Sequence, residues 1–146
     1  MTARQYLKQV SKAKRQIVAL EYEIEEWRTR LTSTTVTLKR DRVKSSPKAD
    51  RFADLMAALV DKELYYQSLL YAYMKLRSDI VKQIWPMEPA LYAELLYKLY
   101  VEEKSLRRAS RELHYDYTYL CRVHGAALRA FEKTYLEPHE DNISQL

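Results

Sequence analysis

The sequence predicts an all-α protein in which long paired helices precede a compact bundle of shorter ones, and three observations lead there. The 146 residues include one glycine and one asparagine, too few for the turns that sheets require. Hydrophobic residues make up 47% of the chain, enough to build a core. Apolar residues also recur at spacings of three and four over several long stretches, the period of a helix face.

The first helix is predicted over residues 1–31. Tyr6, Val10, Ala13, Ile17, Leu20, Ile24, Trp27 and Leu31 form an unbroken seam spaced 4, 3, 4, 3, 4, 3, 4. Such a seam fits a coiled coil, and about 30 residues of helix span ~45 Å. Val10, Ile17, Leu20, Ile24 and Trp27 are therefore the expected oligomerisation residues, with a dimer favoured. Pairing within the chain remains an alternative. Residues 32–49 are polar and β-branched, end near Ser-Ser-Pro, and read as a linker. A second long helix is expected over 50–85, with a broad stripe that includes Phe52, Leu55, Leu59, Tyr66, Tyr73, Ile80 and Ile84. Pro86 and Pro89 then turn the chain into a domain at 86–136, before a polar tail at 137–146.

Three helices are expected in that domain. The first is PALYAELLYKLYVEE; the second, SLRRASREL, is capped by Ser105; the third, beginning at Asp116, is capped by that carboxylate. Leu106, Ala109 and Leu113 should face inward from the second, and Leu120, Val123, Ala127, Leu128 and Phe131 from the third. His114, in the short connection, is expected to take a positive φ.

Composition removes several functions. One glycine cannot supply a phosphate-cradling loop, and one cysteine cannot form an intrachain disulfide. No run approaches the 18 apolar residues of a transmembrane helix, and the start lacks a signal-peptide core, so a cytoplasmic protein without membrane partners is expected. The net charge is +5, divided as +7 over residues 1–51, −3 over 52–103, +4 over 104–136 and −3 over 137–146. Basic ends suit a polyanion such as nucleic acid, although solvated helix faces would look the same.

Two helices joined by a few residues, the second longer and basic, outline a helix-turn-helix. In such a unit the exposed start of the second helix enters the major groove of double-stranded DNA. That places Tyr117, Thr118, Cys121 and Arg122 as base readers. Ser105, Arg107, Arg108, Arg111, Tyr119 and Arg129 become the phosphate set. The stretch SLRRASRELHYDYTYLCRVHGAALRAF resembles region 4 of sigma-70-type factors, and more closely the small sigma-like regulators carried by phages and prophages of Gram-positive bacteria. The match covers roughly residues 88–134. It implies a transcriptional regulator of the late-gene activator type and, by the same resemblance, contact with RNA polymerase. His114 stands where sigma factors usually have glycine, and Tyr117 and Cys121 are weaker base readers than arginine, so the promoter specificity of sigma factors is not carried over.

Other chemistries have less behind them. Cys121 and His124 with His114 lack a fourth ligand for zinc, and no third group orients a Cys–His nucleophile. No metal, cofactor or enzymatic activity is expected. His124 is expected to pack within the bundle, and Gly125 to leave a bare surface for a close approach. The thirteen tyrosines have helical spacing that favours core positions over base stacking. Two rivals remain: an oligomeric DNA-packaging subunit of the small-terminase kind, and a coiled-coil structural or interaction protein.

Overall fold

The computed structural model describes residues 1–40 and 47–137, with side chains described over 1–33 and 49–137. Every regular element among these is helical: α1 (Ala3–Arg40), α2 (Pro47–Ile84), α3 (Ala90–Leu96), a π-helical turn (Tyr97–Val101), α4 (Leu106–Leu113) and α5 (Tyr117–Tyr135). The chain divides into two compact units. One is Ala13–Met74; the other joins Met1–Lys12 to the chain from Lys75 onward.

Helix α1 runs past Leu31 into the stretch expected to be a linker. No Gly or Pro lies between Leu31 and Pro47 to stop it. Threonine is accommodated in this helix at the two positions nearest Leu31. Thr29 and Thr32 turn their hydroxyls back onto the Glu25 and Arg28 carbonyls at 3.0 and 2.9 Å. The linker expected at 32–49 is thus helical through Arg40 and again from Pro47, which suits a first helical position. Residues 41–46 and the expected polar tail beyond Glu137 lie outside the described residues.

In the Ala13–Met74 unit, Ile24 and Leu31 of α1 bury against Leu59 of α2, with Leu20, Trp27, Phe52 and Tyr66 around them. Ion pairs flank this core: Lys62 to Glu23 at 2.6 Å and Arg28 to Glu63 at 2.8 Å. The Lys62 ammonium also lies 5.0 Å from the centre of the Trp27 ring. Exposed pairs of this kind are worth less than ~1 kcal/mol each, so apolar burial carries the unit and the charges fix its register.

The expected oligomerisation residues of the α1 seam pack as follows within one chain. Val10, Ile17 and Ile24 are buried within a single chain, and Leu20 and Trp27 pack on the Leu59 cluster. For Ile24 and Leu31 the covering residues include Leu59 of α2.

In the other unit, Leu95, Ala109, Leu120 and Val123 form the centre, sealed by Leu91, Tyr92, Leu99, Leu106 and Leu113. The first helix expected in this domain is not uniform. Its α-helical hydrogen bonding gives way to a π-helical turn that closes with the Glu102 N–H on the Tyr97 carbonyl at 3.0 Å. The wider turn lets Tyr100 and Val101 face inward together, after Leu95 and Leu96 have done the same one turn earlier.

The domain expected at 86–136 also needs residues from outside those bounds. Ala3, Leu7, Val10, Ile80 and Ile84 are buried in this unit with Phe131. The Ala3 N–H donates to Glu132 Oε2 at 2.9 Å, and the Tyr6 ring sits 5.9 Å from that of Phe131. The Tyr6 hydroxyl donates to Gln83 Oε1 at 3.0 Å.

Candidate nucleic-acid interface

Both helices of the candidate interface start on the caps expected from sequence. Ser105 Oγ accepts the Arg108 N–H at 3.2 Å at the head of α4. Asp116 Oδ2 accepts the Thr118 and Tyr119 N–H groups at 3.1 and 3.4 Å at the head of α5. Each cap satisfies donors that the first helical turn leaves open. Three residues, His114, Tyr115 and Asp116, separate the helices. His114 takes the left-handed conformation at φ 59°, ψ 39°. The Tyr115 N–H then returns to the Ser110 carbonyl at 3.2 Å, and Ser110 Oγ donates to the Tyr115 carbonyl at 2.8 Å. These bonds terminate α4 without glycine.

Helix α5 is two-sided. Leu120, Val123, Ala127 and Phe131 are buried, whereas Tyr117, Thr118, Cys121 and Arg122 are exposed on its first two turns. Thr118, Arg122, Gly125 and Arg129 follow one another at spacings of 4, 3 and 4, a single line along the helix. A Cβ added at Gly125 would meet only the Arg129 guanidinium, at 3.5 Å. Nothing among the described residues therefore requires glycine here.

The expected phosphate set divides into three: Arg107 and Arg111 on α4, the internally bonded Arg108 and Ser105, and Tyr119 and Arg129, both exposed on α5. Arg107 and Arg111 are exposed on α4. Arg107 holds its guanidinium 4.9 Å from the centre of the Tyr117 ring, so a phosphate candidate and a base candidate are brought together. Arg108 instead bonds Glu112 through Nε at 3.2 Å, and Ser105 is occupied by its cap. Glu112 also accepts from Lys98 at 2.9 Å and Lys104 at 2.8 Å. Those bonds, Lys104 first, hold its carboxyl down at about 2.

Sequence reasoning missed two features. Tyr115 is exposed beside Tyr119, with ring centres 5.7 Å apart, so the turn carries an aromatic pair next to the Arg107–Tyr117 stack. The alternation of tyrosines at 115, 117 and 119 was its only sequence signal. The second is Glu112 as an anchor for three cations. Its spacing to Arg108 was legible, but Lys98 reaches it only through the fold.

No family model, curated protein or solved structure matches this chain.

The Cys–His pair separates by environment. Cys121 is exposed, whereas half-buried His124 shares a hydrogen bond with the Tyr100 hydroxyl through Nε2 at 2.8 Å. Burial, and then the positive charge of Arg4, pushes the imidazole below its ordinary pKa. Burial pushes the Tyr100 hydroxyl up. A neutral imidazole against a neutral phenol is a packing arrangement, as expected for His124.

Proposed function

We propose that this chain binds double-stranded DNA sequence-specifically to regulate transcription, in the manner of phage or prophage late-gene activators. Helices α4 and α5 would act as a helix-turn-helix of the sigma region 4 kind. One observation carries the reading. Tyr117, Thr118, Cys121 and Arg122 are all exposed on the first turns of a capped helix whose opposite face is core. In this reading Arg122 contacts a base edge, and Thr118 and Cys121 meet smaller groups such as a thymine methyl. Arg107 and Arg111 neutralise phosphates, and Arg129 extends that contact along α5. Contact with RNA polymerase follows only from the sigma resemblance.

Selection of bound sequences from a random DNA pool tests the proposal, followed by Arg122→Ala on the winning site. The variant should lose ~1–3 kcal/mol of binding and relax one base position. Replacing Arg107 and Arg111 by Gln should flatten the dependence of log affinity on log salt by ~1–2 units, with little effect on sequence preference. A pool that returns no preferred site, with affinity indifferent to salt, would sink the reading and favour a structural or interaction protein.

A further inference from the structure

Helix α2 carries a second apolar row that its own chain leaves uncovered. Ala57, Val60, Leu64, Gln67, Tyr71 and Met74 are spaced 3, 4, 3, 4, 3 and are all exposed. Val60 is 49% exposed, Leu64 59%, Met74 61% and Tyr71 73%. Those values belong to surface, yet the spacing belongs to a coiled-coil seam. The row lies about a third of a turn from the face that holds Leu59 and Tyr66 against α1. A contiguous apolar strip of this kind marks an interaction surface.

Charge identifies the occupant. Along one flank of the row, Asp54, Asp61, Ser68, Lys75 and Lys82 recur every seventh residue, and all five are exposed. The flank runs from acidic to basic with Ser68 at its midpoint. In an antiparallel pair of identical helices this flank faces itself with its order reversed. Asp54 then meets Lys82 of the second copy and Asp61 meets Lys75, with the two Ser68 side chains at the two-fold axis. A parallel pair would instead gather the acidic ends together and the basic ends together.

We propose that α2 pairs antiparallel with α2 of a second copy, making the protein a two-fold dimer through the Ala57–Met74 row. Gln67, the one polar member of the row, fixes its register, as a single polar seam residue does in coiled coils. The pairing is independent of the DNA reading. It is tested without DNA, and a monomer would leave the α5 face as it is.

The test is solution mass by sedimentation at micromolar concentration. The wild-type chain should weigh two copies, and Leu64→Glu should halve the mass with helix content unchanged. Asp54→Lys with Asp61→Lys gives a wholly basic flank, and Lys75→Asp with Lys82→Asp a wholly acidic one. Each should be monomeric alone, and the two should form a dimer when mixed. This pair of variants decides the matter if Leu64→Glu fails to fold, because all four sites are exposed. A wild-type monomer, a mass above two copies, an unchanged mass for Leu64→Glu, or charge variants that do not rescue one another would each overturn the proposal.

Discussion

At the scale of single residues, Gly125 and Glu112 show how position decides what a side chain is for. Gly125 lies mid-helix, where glycine costs about 1 kcal/mol relative to alanine, and the space beside it holds only a flexible Arg129. Gly125→Ala should therefore raise stability by ~0.5–1 kcal/mol in urea unfolding. Its effect on DNA is the more informative half. If the bare position on the Thr118–Arg122–Arg129 line admits a phosphate backbone, the same change should weaken DNA binding while stabilising the fold. Glu112 gives a pH dependence of known sign. Its carboxyl is held from 4.5 down to about 2 in the folded chain, so its contribution is present above 4.5. That contribution is lost as pH falls towards 2. Wild type and Glu112→Gln should therefore differ in stability at neutral pH and converge in acid. A constant difference across that window would mean that Lys98, Lys104 and Arg108 do not depend on the carboxylate's charge.

At the scale of elements, α1 carries one apolar row and α2 carries two, with different destinations. The α1 row is buried within the chain, so Ile24→Asp should unfold the Ala13–Met74 unit at any protein concentration. A buried unpaired charge costs several kcal/mol, more than that small core can lose. Thermal unfolding followed by circular dichroism over a hundredfold range of concentration checks this. A folded monomer would place the row between chains instead. The heptad of α1 was legible in the sequence, as were the caps at Ser105 and Asp116 and the positive φ at His114. These are local: spacing, a short polar side chain and a tight connection are written in neighbouring residues. Which partner covers a seam is not local, because Leu59 and a second α1 offer the same kind of surface to Ile24. The end of α1 was misjudged for a related reason. A run of threonines lowers helix propensity by a few tenths of a kcal/mol per residue, too little to stop a helix already formed. Within the candidate interface, the exposed face of α5 was legible from its period. The engagement of Arg108 by Glu112, with Lys98 and Lys104 joining from other segments, was not.

At the scale of the whole molecule, the unit that carries α4 and α5 is not continuous in sequence. Removing residues 1–12 takes away Ala3, Leu7 and Val10, all buried, together with the Ala3–Glu132 bond. Each large apolar truncation of this kind costs ~2–5 kcal/mol. A chain lacking residues 1–12 should unfold at clearly lower urea, and exchange of the α5 amides should speed up. Unchanged exchange there would show that the last 60 or so residues hold their own core. The sequence pattern alone pointed to a self-contained domain at 86–136, since its three helices enclose an apolar centre. It missed the contribution of the first dozen residues because Tyr6 and Val10 also fit the seam that continues to Leu31.

The hydrogen bond from Ala3 to Glu132 joins residues 129 positions apart. A ribosome adding 5–20 residues per second takes on the order of ten seconds to cover that span. Throughout that interval Ala3 and Tyr6 have been made, while Phe131 and Glu132 have not. These two residues therefore wait for nearly the whole span before their α5 partners exist. Any product that stops short of α5 lacks both contacts, and the surface they cover stays open to chaperones and proteases.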